Sequence, residues 1–117
     1  MKLRNAVAAT AGALALTLTL SGSALAATGD FQYKFRDASG RELTVTLPNP
    51  TSEKCINLYG VDSYDVDPGY APHNETDAWA TVYADTNCDG PEWRLKPHGQ
   101  QASDRLHVRS VRFDEPV

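Results

Sequence analysis

The chain has 117 residues, of which 41% are hydrophobic, and a formal net charge of −4. From Ala27 onward it carries all fifteen of its acids but only nine Lys and Arg, a net charge of −6. That anionic balance excludes a phosphate-backbone binder and a basic membrane-surface peptide, both of which need surplus cations, and the length suits one domain.

Lys2 and Arg4 precede an almost wholly apolar run from Ala6 to Leu20, and Ala24-Leu25-Ala26 has the A-x-A form of a secretory cleavage site. The expectation is a signal peptide over residues 1–26 and an exported mature domain over 27–117. No later apolar run is long enough to span a bilayer, so no membrane association is expected after cleavage. Export leads to an oxidising compartment, where the only two cysteines, Cys55 and Cys88, read as one structural disulfide. Neither has the neighbours that a C-x-x-C redox pair or a metal site requires.

Phe31, Tyr33 and Phe35 alternate with Gln32 and Lys34, a period-two pattern that predicts a strand. Asp37-Ala38-Ser39-Gly40 is a turn. Leu43, Val45 and Leu47 alternate with Thr44 and Thr46 as the second arm of a hairpin, which Pro48 and Pro50 end. Cys55 to Leu58 predicts a third short strand. The stretch from Tyr59 to Asp77 holds three Tyr, two Pro, two Gly and five acids and reads as a single long loop, longer than compact domains usually carry without a function. Strand pattern resumes at Ala78 to Tyr83, followed by turn formers from Asp85 to Gly90, a strand at Trp93-Arg94-Leu95, and a loop from Pro97 to Ser103. In the last strand Leu106 and Val108 stand on one parity and Val111 and Phe113 on the other, which predicts a bulge near Arg109 or Ser110. No stretch of the mature chain has a useful 3.6-residue apolar period, so the fold class is all-β.

An offset of 50 residues places Tyr33 on Tyr83, Gly40 on Gly90, Glu42 on Glu92, Leu43 on Trp93 and Val45 on Leu95. Each half then reads as a four-strand unit, closing at Cys55 to Leu58 in the first half and at Ser110 to Phe113 in the second. Two such units imply two packed sheets. The run from Tyr83 to Trp93, closed by Ser110-Val111-Arg112-Phe113, resembles the βγ-crystallin Greek-key motif through Tyr83, Gly90, Trp93 and Ser110. The resemblance implies a folded-over hairpin in which the Gly accepts positive φ, the aromatic packs on the hairpin and the Ser hydroxyl ties it down. It covers Ala78 to Phe113 closely and Phe31 to Leu58 loosely, with Cys55 at the Ser position of the first half. Cys88 stands where eye-lens members carry a second aromatic. The overall expectation is two Greek-key motifs forming a βγ-crystallin-like sandwich with one disulfide, similar to small secreted actinobacterial proteins that include killer-toxin-like proteins and a metalloproteinase inhibitor.

Microbial members of that family bind calcium through paired Asn or Asp and a Ser or Thr. The matching window here is Arg105-Leu106-His107-Val108-Arg109-Ser110, where only the last position agrees and two arginines oppose a hard cation. Asn49-Pro50-Thr51-Ser52 lacks the paired acids, and Asp62, Asp65 and Asp67 lack EF-hand spacing, so no metal or cofactor is expected and a degenerate calcium binder is the weaker alternative. His73, His98 and His107 have no partner at triad or metal-ligand spacing, and no nucleophile motif appears, which argues against an enzyme. Seven acids and no Lys or Arg lie between Asp62 and Asp89, while Arg94, Lys96, Arg105, Arg109 and Arg112 crowd the end. Tyr59, Tyr64 and Tyr70 give the acidic segment the composition of a recognition loop, with core capping as the competing role. The expectation is a monomeric, secreted, non-enzymatic module that binds an extracellular protein and no nucleic acid, as a protease inhibitor or killer-toxin-like antagonist. The alternative is a structural or envelope-associated protein with no specific ligand.

Overall fold

A computed structural model describes residues 14–18 and 25–116. Lys2, Arg4, Ala24 and most of the apolar run of the expected signal peptide lie outside the described residues. The chain is all-β, with nine strands among those residues: β1 Leu14–Thr17, β2 Gly29–Arg36, β3 Glu42–Pro48, β4 Cys55–Asn57, β5 Gly69–Thr76, β6 Ala80–Tyr83, β7 Glu92–Leu95, β8 His107–Val108 and β9 Ser110–Phe113. They form two sheets, ordered β1-β3-β2-β5-β8 and β4-β9-β6-β7. No helix among the described residues is long and apolar enough to cross a membrane.

The alternation read in the sequence is what places β2 and β3. Phe31, Tyr33 and Phe35 point inward from β2, and Leu43, Val45 and Leu47 from β3, while the intervening polar residues face outward. The two strands pair from Asp30↔Pro48 to Arg36↔Glu42. Their turn is held by Asp37, whose carboxylate accepts from the Ser39 amide and hydroxyl and the Arg41 amide. From the second sheet Val82, Val111 and Phe113 meet this face, and Phe31 and Phe113 pack edge to face with ring centres 5.3 Å apart. Each such side chain contributes about 1.5–3 kcal/mol by leaving water, so this seam holds the two sheets together.

Three expectations are corrected. The stretch from Tyr59 to Asp77 is not one loop, because Gly69–Thr76 within it is β5, paired antiparallel with β2. β5 escapes a hydrophobic-pattern reading because its buried positions are Gly69, Ala71, Pro72, Asn74 and Thr76. Asn74 is kept buried by donating to the carbonyls of Ala78, Leu95 and Lys96 at 2.8–3.1 Å, and Thr76 bonds Asn74 and Ala78. Pro72 is tolerated because the ladder slips there: Gln32 faces His73 but Lys34 faces Tyr70, so two residues oppose one, with Ala71 at φ +52.

The closing strand of the first half is therefore β5, and Cys55 belongs to a third strand, β4, rather than to a position equivalent to Ser110. The end of the chain holds a break between sheets rather than a bulge within one strand: β8 pairs with β5 in the first sheet, and β9 pairs with β6 and β4 in the second. The parity switch at Arg109 is the trace of that crossing. Apart from β1, each sheet takes three strands from one half of the chain and one from the other, since β4 joins the second sheet and β8 the first.

Candidate functional site

Between β4 and β5 the chain makes a surface loop over residues 58–68. Leu58 and Val61 are fully buried in the core cluster and fix its start. The Tyr59 carbonyl accepts the buried Tyr33 hydroxyl at 2.8 Å, and the Tyr59 ring lies edge-on to Phe35. Burial pushes the Tyr33 phenol well above its ordinary range, reinforced by the negative charge of Asp62. Tyr59 is itself 53% exposed, and beyond Val61 the loop turns outward, with Tyr64 64% and Val66 43% exposed beside the exposed acids Asp62, Asp65 and Asp67.

Arg109 holds this outward part. Its side chain, only 8% exposed, lies at the crossing between β8 and β9. The guanidinium donates to the carbonyls of Val61 (3.0 Å), Ser63 (2.6 Å) and Val66 (3.0 Å), and its carbon sits 4.8 Å from the Tyr64 ring centre. A buried cation needs its donors matched, and the planar fork reaches three carbonyls that a single ammonium cannot span. The Arg109 backbone is fixed too, donating to Tyr83 and accepting from Leu58.

A second brace comes from the hairpin between β6 and β7. Cys55 and Cys88 are joined by a disulfide with Cα atoms 5.9 Å apart. Beside it Asn57 and Asn87 form a reciprocal pair, the Asn57 amide donating to Asn87 Oδ1 at 3.0 Å and the Asn87 backbone amide to Asn57 Oδ1 at 2.7 Å. The Thr86 amide donates to the Tyr64 hydroxyl at 3.3 Å, linking the hairpin to the loop.

The four fold-motif residues take different places. Tyr83 on β6 faces Ser110 across the ladder. Ser110 is buried, donates to the Asp85 carbonyl at 2.6 Å and accepts from the Cys88 amide at 2.9 Å, tying the folded hairpin down. Gly90 has φ +78, and a Cβ there would collide with the Asp85 carboxylate. Trp93 lies outside the core, 61% exposed on β7 at the end of its sheet.

Of the three tyrosines singled out in the sequence, Tyr59 and Tyr64 share the braced loop, whereas Tyr70 stands on β5. Its hydroxyl donates to Glu42 at 3.0 Å, and desolvation together with that carboxylate raises its pKa. Tyr70 lines a shallow cleft of about 270 Å³ with Arg36, Asp67, Pro68 and His107. His107 and Asp67 share this cleft without a hydrogen bond between them, and the Tyr70 hydroxyl is committed to Glu42.

Among the described residues no group of three or more His, Cys, Asp or Glu is placed to hold a metal ion. Within Arg105 to Ser110, the window weighed for calcium in the sequence, Arg109 supplies a guanidinium to the loop carbonyls. The role of Arg109 as loop organiser was not legible in the sequence, since an arginine between two strands of opposite parity carries no sign that it points inward. Compared with protein-family models, curated protein sequences and solved structures, the chain matches none.

Proposed function

We propose that the chain is a secreted, non-enzymatic recognition module of βγ-crystallin-like build that binds an extracellular protein through Tyr59–Asp67, as a protease inhibitor or killer-toxin-like antagonist does. The observation that carries this is the pairing of exposure with bracing: Tyr59 and Tyr64 stand more than half exposed on a segment whose backbone is tied to a buried arginine. Large amphipathic rings on a pre-ordered loop lose little entropy on binding, which is where affinity is gained.

Two further features support the reading. In each half the fourth strand lies beside the first, β5 beside β2 and β9 beside β6, as in a Greek key whose third strand has crossed to the other sheet. The disulfide accords with an oxidising compartment. The test is inhibition of a panel of secreted metallo- and serine proteases at micromolar protein, together with capture of partners from spent culture medium. A Tyr59→Ala, Tyr64→Ala double variant is expected to lose at least about tenfold in affinity while remaining folded by circular dichroism at the assay temperature. If wild type and variant capture and inhibit alike, the loop is not the binding surface.

A further inference from the structure

The edge of β3 is covered by β1, which lies within the expected signal peptide. β1 runs parallel to β3 in the register Leu14↔Leu43, Ala15↔Thr44, Leu16↔Val45 and Thr17↔Thr46, and the Leu18 amide donates to the Thr46 carbonyl at 3.0 Å. It is the one parallel ladder among the described strands, and Leu16 and Leu18 are partly buried against the main core cluster. The Thr46 carbonyl points at β1, so by strand alternation the amides of Thr44 and Thr46 face the same way, while those of Leu43, Val45 and Leu47 face β2.

Without β1, the outer side of β3 is a row of unpaired backbone groups beside the flank of core that two leucines had covered. Such an edge is a template for another strand. Its outward-facing backbone positions are Glu42, Thr44, Thr46 and Pro48; the charge and the proline blunt only the two ends, and the central pair, Thr44 and Thr46, is uncharged and strand-favouring.

We propose that removal of the leader makes the β3 edge an acceptor for an extended segment of a partner protein, running parallel to β3 and carrying leucine-like side chains at alternate positions. In the uncleaved chain the leader strand pairs with this edge and displays that chemistry. This rests on the reading that residues 1–26 are cleaved at export, and it is carried by a surface separate from the tyrosine loop.

The same structure orders the events. Ala26 bridges to Thr51, the Ala27 amide donates to the Pro50 carbonyl at 2.9 Å, the Ser52 amide donates to the Leu25 carbonyl at 3.2 Å, and Ala27 is buried. A chain that folds before processing therefore covers both the Ala26–Ala27 bond and the β3 edge, so cleavage must precede folding for the edge to open.

Amide exchange followed by NMR, on the full chain and on protein collected from culture medium, tests the proposal. The secreted protein is expected to begin at Ala27 by mass spectrometry, with Thr44 and Thr46 amides exchanging at least about tenfold faster than in the full chain. A lysine-flanked peptide of residues 14–18 should restore their protection, and the same peptide with Asp in place of its second and third leucines should not. Slow exchange at both amides in a monomeric secreted protein, a dimer that protects them without peptide, or no response to millimolar peptide would each overturn the proposal.

If the secreted protein does not begin at Ala27, the cleavage reading fails by itself. The edge is then judged in the full chain carrying Leu16→Asp and Leu18→Asp, where the same fast exchange and peptide rescue are expected and their absence sinks the acceptor. The Tyr59→Ala, Tyr64→Ala variant should take up the peptide as wild type does, which keeps this result distinct from the loop's.

Discussion

Arg109 shows how much of a loop's order can rest on one side chain. Truncating it to Ala removes three donors from the carbonyls of Val61, Ser63 and Val66 and leaves Tyr64 without its cation. The expected cost is about 1–3 kcal/mol in urea denaturation, with new proteolytic nicking between Asp62 and Asp67. Arg109→Lys keeps the charge but not the fork and should recover only part of the loss. Tyr33 makes a different demand. Its folded pKa lies above the ordinary tyrosine value, so its contribution is complete below about pH 10 and is lost as pH rises beyond that, because the unfolded chain releases the proton first. Tyr33→Phe should remove this alkaline sensitivity while costing about 1 kcal/mol at neutral pH, since the Tyr59 carbonyl loses its donor. Circular dichroism melts at neutral and alkaline pH compare the two proteins directly.

Among the elements, the β2–β3 hairpin and β5 mark the two ends of legibility. Alternating aromatics and leucines with a turn between them announce the hairpin without any tertiary information, and the turn's chemistry is local as well. Asp37 is held below the usual carboxylate range by the Ser39 hydroxyl first and the Arg41 amide next. A lowered folded pKa means that the turn's contribution is present above the ordinary aspartate value and disappears as pH falls through the folded one. The protection factors of the Ser39 and Arg41 amides, measured against the intrinsic rate at each pH, should therefore fall as pH drops from about 5 to about 2, and Asp37→Ala should abolish that pH dependence. β5 carries no such announcement, because small and polar residues fill its inward positions. Asn74 is at home in the interior only because three carbonyls from the Ala78 and Leu95–Lys96 segments converge on it.

Across the whole molecule, the two sheets share one core cluster, and the disulfide clips β4 to the β6–β7 hairpin over a sequence separation of 33 residues. In the chain-entropy account such a closure contributes about 3–4 kcal/mol, a large share of the 5–15 kcal/mol that a small domain has in total. Replacing Cys55 and Cys88 by Ser should lower the melting temperature by more than about 12 °C, and reduction of the wild type should do the same. A smaller shift would mean that the Asn57–Asn87 pair and the Ser110 tie already hold the hairpin unaided.

The sequence alone determined the all-β class, the pairing of its only two cysteines and the strands with apolar alternation, because those follow from local periodicity and from simple counting. The tertiary structure alone decided that β4 and β8 trade sheets, that Tyr70 belongs to a strand, and that Arg109 turns inward to hold the tyrosine loop. Each of these depends on groups from distant segments arriving at one place: carbonyls around a guanidinium, a ladder around a bulged proline, a core that closes only when both halves are present. No residue's own neighbours in the chain encode that arrival.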